Sequence, residues 1–143
     1  MKSELQAAMK SAMKAKDKMR LEAIRMLLSA IQYEELQKQI SELPKEECLA
    51  VLQREHKKRK EELEFAAKAK RQDLKDKFSA EIALIEEFLP KQLSAAELEK
   101  IISDLKAQNP ACNIGLVMKT LKESYPGQYD SKQAGEIAKQ LLA

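Results

Sequence analysis

An all-α fold is predicted by three observations that agree. The 143 residues include only three Gly, four Pro and no Trp, while Ala, Leu, Lys and Glu abound and the strand formers Val and Thr are scarce. Apolar residues recur at three- and four-residue spacing through most of the chain. Turn signals at Leu43-Pro44, Leu89-Pro90, Asn109-Pro110 and Tyr125-Pro126-Gly127 cut that pattern into helix-length pieces. With 44% hydrophobic and 34% charged residues the composition is that of a folded chain with a heavily charged surface, not of a disordered one. The predicted architecture is an N-terminal bundle of about four helices over residues 1–89, a Pro-containing hinge at 90–93, and a small three-helix tail domain over 94–143.

The first helix is expected to be capped by Ser3, with Leu5, Ala8, Met9, Ala12 and Met13 on one stripe and Lys10 and Lys14 opposite. Its apolar face lacks Trp and Phe, so packing on the bundle is preferred to lying on a membrane. Asp17 opens a second helix carrying Leu21, Ile24, Leu27, Leu28 and Ile31 inward, with Arg25 beside that stripe and in reach of Glu22, Glu34 or a neighbouring helix. After the turn at Ile40 to Pro44, with Pro44 suited to the first helical position, a third helix runs to about Lys70. Its seam of Leu49, Leu52, Leu63 and Ala66 is interrupted by His56 and Arg59. His56, the only histidine, has no ligand or catalytic partner at a convincing spacing and is read as a packed imidazole. Arg59 either snorkels to the helix edge or pairs with a buried acid.

Asp73 is expected to cap the fourth helix, which turns Leu74, Phe78, Ile82 and Ile85 inward and stops at Pro90. Ser94 with Glu97 three residues later has the spacing of a capping box, so a new helix starts almost at once. Phe88, Leu89 and Leu93 around that joint are expected to bury against both flanking segments and so hold two helical units at a defined angle. In the tail, Leu98, Ile101, Ile102 and Leu105 face inward, Asn113 caps a helix with Leu116, Val117 and Leu121, and Asp130 or Ser131 caps a last helix with Ile137, Ala138 and Leu141.

Charge and missing chemistry bound the function. The net charge of +3 is unevenly placed: residues 1–38 carry eight basic and five acidic side chains, residues 53–77 ten and six, and residues 94–143 six and six. The positive field therefore sits on the long helices and suits a local contact with a polyanion. Arg54, Lys57, Lys58 and Lys60 form the densest patch, read either as a solvated face, with i,i+4 acids at Glu61, Glu62 and Glu64, or as a secondary RNA patch. Cys48 and Cys112 match neither a metal spacing nor a disulfide framework and are expected to be free thiols in a cytoplasmic protein. No apolar run is long enough to span a membrane, and the first residues lack a signal-peptide core. No nucleophile–base pair, metal set or phosphate loop is recognisable, so no catalytic residue, metal or cofactor is assigned and a binding module is the favoured class.

Ala12 to Lys18, Ile24-Arg25-Met26-Leu27, Arg71-Gln72-Asp73-Leu74, Phe88-Leu89-Pro90-Lys91-Gln92-Leu93-Ser94 and Gly115-Leu116-Val117-Met118-Lys119 together resemble the YqeY family, in the family's order and over essentially the whole chain. That family is similar to the C-terminal helical and tail portion of the GatB subunit of glutamine-dependent Asp/Glu-tRNA amidotransferases. The resemblance implies tRNA binding or an amidotransferase or other translation-associated partner, under a family-level label of carbon–nitrogen ligase activity with glutamine as amido donor. It points to the tail, where Lys119, Lys122 and Lys132 flank the turn that carries Tyr125 and Tyr129. After Gly127 the family often has a basic residue and an Ala-Asp-Gly type turn, whereas this chain has Gln128, Tyr129, Asp130 and Ser131. Tyr129 then either stacks on an unpaired base or closes a small core. Two function classes remain open on sequence: a tRNA-binding accessory protein, and a protein-interaction adaptor with no RNA role.

Overall fold

The computed structural model describes residues 1–143 as seven helices and no strand. They are α1 (Lys2–Lys14), α2 (Lys18–Lys38), α3 (Lys45–Lys68), α4 (Gln72–Phe88), α5 (Ala95–Gln108), α6 (Ile114–Ser124) and α7 (Ser131–Leu142). The chain divides into two compact units, Met1–Leu89 and Pro90–Ala143.

Local chemistry decides most helix ends. Asp17 accepts from the Arg20 amide at 3.1 Å, Ser94 and Glu97 form the complete capping box, Asn113 accepts from the Leu116 amide at 2.8 Å, and Asp130 from the Lys132 amide at 2.9 Å. Two expected caps fail. Ser3 lies inside α1, which starts after Met1 without a side-chain cap, and Asp73 lies in the first turn of α4, where Arg71 is the cap residue and binds the Asp73 carboxylate. Pro44 sits one position earlier than expected, just outside α3. At the other ends, α1, α2 and α3 each close with a paired 6→1 and 5→2 amide pattern around Lys16, Gln39 and Lys70, all three left-handed at φ near 57°.

The first unit buries Leu5 and Ala12 of α1, Ala23, Ile24, Leu27, Leu28 and Ile31 of α2, and Leu43 in one core. From α3 this core takes only Cys48, Val51 and Leu52, and from α4 only Leu84 and Ile85, with Phe88 and Leu89 packed beside them. Beyond that shared end, α3 and α4 continue as an antiparallel two-helix arm, packed most extensively on each other. The side-chain bonds of His56, Arg59, Arg71 and Gln72 all stay within these two helices. From Gln53 to Lys68 the arm is about 24 Å long at 1.5 Å per residue.

Arg59 settles its open reading: its Nε donates to Glu81 at 2.6 Å, with both groups buried, and its Nη1 reaches Glu55 at 3.3 Å. Arg25 does not bridge helices; it is exposed, and Arg20 instead makes a two-point pair with Glu87 at 2.6 and 3.3 Å. Glu35, unnoticed in the sequence, is buried and accepts from Lys2 Nζ and from the Leu43 amide, each at 2.9 Å. It thereby ties the start of α1 and the α2–α3 connection to the end of α2.

The second unit has its own core of Leu98, Ile102, Val117, Leu121, Ala134, Ile137 and Ala138, with α7 packed on both α5 and α6. Leu93 packs against this core, whereas Phe88 and Leu89 pack against the other. All three joint residues are at least half-buried, but each packs against the core of its own unit and not, as expected, against both flanking segments.

Candidate nucleic-acid interface

The tail site is built on the turn between α6 and α7. Pro126 fits the second position of a type II turn, Gly127 supplies the positive φ of 72° that the third demands, and the Gln128 amide closes the turn on the Tyr125 carbonyl at 3.2 Å. A second segment holds this turn from outside. The Leu93 amide donates to the Gln128 carbonyl at 2.6 Å, and Gln92 Nε2 donates to the Gly127 carbonyl at 2.7 Å and to the Pro90 carbonyl, two residues back, at 3.0 Å. The Leu89-Pro90-Lys91-Gln92-Leu93 stretch thus acts as a strap. Pro90 ends α4, Gln92 and Leu93 satisfy the carbonyls of the turn, and Leu93 fills the core edge below.

Three exposed lysines lie on the two helices that this strapped turn joins. Lys119 and Lys122, three residues apart on α6, share one side of the helix, while Val117 and Leu121 face the core. Lys132 lies in the first turn of α7. None of the three forms an ion pair with a tail acid. Tyr125 and Tyr129 both pack against the tail core, and burial pushes the Tyr129 phenol above its ordinary value.

Sequence reasoning missed two residues here. The Lys91 side chain is 82% exposed, lies 3.9 Å from Glu97, and adjoins the Gln92 that grips Gly127. Gln92 itself carries the strap. The signal was present, since both lie in the most family-specific segment, but the Gly127 partner of Gln92 is 35 residues away and no local rule connects the two.

The secondary patch belongs to the first unit, so the structure does not bring the two sets into one unit. Arg54 is bound by Glu34 at 2.9 Å, which offsets part of its charge, while Lys57, Lys58 and Lys60 are exposed on α3. His56 Nε2 meets Glu86 at 2.9 Å and joins α3 to α4. Cys48 and Cys112 are free; Cys48 is buried, which pushes its thiol up, and it donates to the Leu43 carbonyl at 3.5 Å. No group of three or more His, Cys, Asp or Glu is placed to hold a metal ion, and no helix is long and apolar enough to cross a membrane.

No curated protein matches the chain. A family model described as Yqey-like protein matches residues 2–142.

Proposed function

We propose, on the premise that the chain belongs to the YqeY family, that it is a cytoplasmic tRNA-binding accessory protein related to the tail of the GatB amidotransferase subunit and not catalytic alone. The observation that carries this reading is the strapped turn with three lysines on the two helices it joins. The turn is held by one side-chain bond from Gln92 to Gly127 and one backbone bond from Leu93 to Gln128, and Lys119, Lys122 and Lys132 are left without acidic partners. Fixed geometry with free cations suits phosphate contacts on a folded RNA, where position is set by the backbone and not by base identity. Tyr129 serves the core in this reading, and Lys91 joins the phosphate set. Residues 1–89 and 90–143 are taken as separately folding parts, the tail being the RNA-facing one.

The test is tRNA affinity against salt for the wild type and for a Lys119, Lys122 and Lys132 to Gln triple variant. Each lost phosphate contact is expected to reduce the slope of log affinity on log salt by about 0.9. An unchanged slope, or no binding by the wild type at low salt, sinks the reading.

One observation favours the adaptor alternative. Tyr33 and Leu36 are exposed three residues apart on α2, with Leu36 at 76%, and Ile40 is exposed just beyond the end of that helix, apolar side chains that suit a protein partner better than RNA. A partner recovered after nuclease treatment, and lost on Leu36→Asp, would support it.

A further inference from the structure

We propose that the tip of the α3–α4 arm is a second RNA contact, at which Phe65 stacks on an unpaired base while Lys68, Lys70 and Lys77 hold the adjoining phosphates. This deepens the RNA reading above, on which it rests, by adding a place and a binding mode that the tail does not supply.

Phe65 is the starting point because it is 77% exposed, the most exposed large apolar side chain in the protein, and lies on a helix whose partner it does not touch through that face. A solvated ring contributes little to folding, and its face is open to a ligand. Its surroundings are cationic. From Phe65 to Lys77 there are five basic side chains and two acidic ones. The two acids are already engaged: Asp73 binds Arg71 at 3.2 Å, and Asp76 accepts from Gln72 at 2.9 Å. Lys68, Lys70, Lys75 and Lys77 form no ion pair. Glu64, Glu62 and Glu61 are the acids nearest the ring in sequence; all three precede it on α3, away from the loop, and Glu62 lies 3.8 Å from Arg59.

The arrangement follows from the fold. Lys68 is one turn beyond Phe65, about 4.5 Å along the axis and on the same side of α3. The Arg59–Glu81 pair sets the register of the arm and brings the Lys75–Lys77 turn of α4 level with Phe65. Lys70 crowns the loop in its left-handed conformation. A nucleotide presents a flat π face and an anion together, and this tip presents their complements together. A membrane surface would need a wider apolar face than one ring offers, and an acidic peptide would leave the ring unused.

The experiment uses the full chain with two probes, a folded tRNA transcript and a fully paired RNA duplex of equal length, each titrated at several salt concentrations. Phe65→Ala is expected to weaken tRNA binding about tenfold, with the salt slope unchanged and duplex binding unaltered. Phe65→Trp is expected to keep tRNA affinity. Replacing Lys68, Lys70 and Lys77 together by Gln is expected to lower the slope by about two to three on both probes. Thermal melting followed by circular dichroism is expected to be unchanged for all three variants. If the tail variant loses tRNA affinity while the tip variants bind like wild type, the tip proposal falls and the tail reading stands. Equal weakening of both probes by Phe65→Ala overturns the stacking mode. No tRNA binding by the wild type overturns both.

Discussion

The two units are held together by different physics. In the first, charged side chains cross between helices at several levels: Lys2 to Glu35, Arg20 to Glu87, Arg54 to Glu34, Lys38 to Glu47, His56 to Glu86 and Arg59 to Glu81. In the second, the described ion pairs include none between helices, and a charged cross-helix bond runs from Lys106 to the Leu141 carbonyl at 2.7 Å. The tail relies instead on three side-chain-capped helix starts and an apolar core. The long arm relies on its two pairs, His56 with Glu86 and Arg59 with Glu81, because it leaves the shared core behind and buries mainly Leu63, Ala66, Leu74, Phe78 and Ile82 along its length. The tail is short enough for every helix to touch α7 or its core directly.

The largest expected effect is on the arm. Glu81→Ala leaves the buried Arg59 with only Glu55 and Glu62 at 3.3 and 3.8 Å, and is expected to destabilise the first unit by about 3 kcal/mol. Urea unfolding with hydrogen exchange read separately on peptides from each unit checks this. Equal loss of protection in the tail would show one cooperative transition and break the contrast. A smaller effect is expected in the tail, where Ser94→Ala removes the acceptor for the Glu97 amide at 3.2 Å and costs about 1 kcal/mol, seen as earlier exchange in α5 alone.

The smallest expected effect is on pH dependence. The Lys2 ammonium, and then the Leu43 amide, hold the Glu35 carboxyl below its ordinary value. A depressed folded pKa means that this contribution is complete above the unfolded value of about 4.3 and is lost as pH falls through the lower folded one. Glu35→Gln is therefore expected to flatten the acid side of the first unit's stability profile. An acid limb identical to wild type would remove Glu35 from the account.

What was legible in the sequence was chemistry confined to a few neighbouring residues. Asp17, Ser94 with Glu97, Asn113 and Asp130 each act within three positions, and each does in the structure what its spacing implies. Ser3 and Asp73 carry the same signal, but an earlier start at Met1 and the Arg71 guanidinium win at those ends. The arm was not legible. Helical periodicity says that α3 has an apolar side, and not that only its first two turns join the common core. Glu35 was hidden for a related reason, since its partners Lys2 and Leu43 lie 33 and 8 residues away. At the candidate site, Lys119, Lys122 and Lys132 came from family resemblance, whereas the strap of Gln92 on Gly127 needed coordinates to be seen.

The Arg59–Glu81 pair also constrains how the arm can assemble in the first place. Two antiparallel helices with sparse apolar contacts could slide past each other by a turn at little apolar cost. Sliding α4 four residues one way would set Arg59 opposite Lys77, like charge against like; sliding it four residues the other way would set Arg59 opposite Ile85, a guanidinium buried without an anion. Both shifted hairpins are penalised, and only the register that pairs Arg59 with Glu81 also lets His56 meet Glu86. The buried charge works as a proofreading device for the hairpin, rejecting near-native alignments that the apolar side chains alone would tolerate.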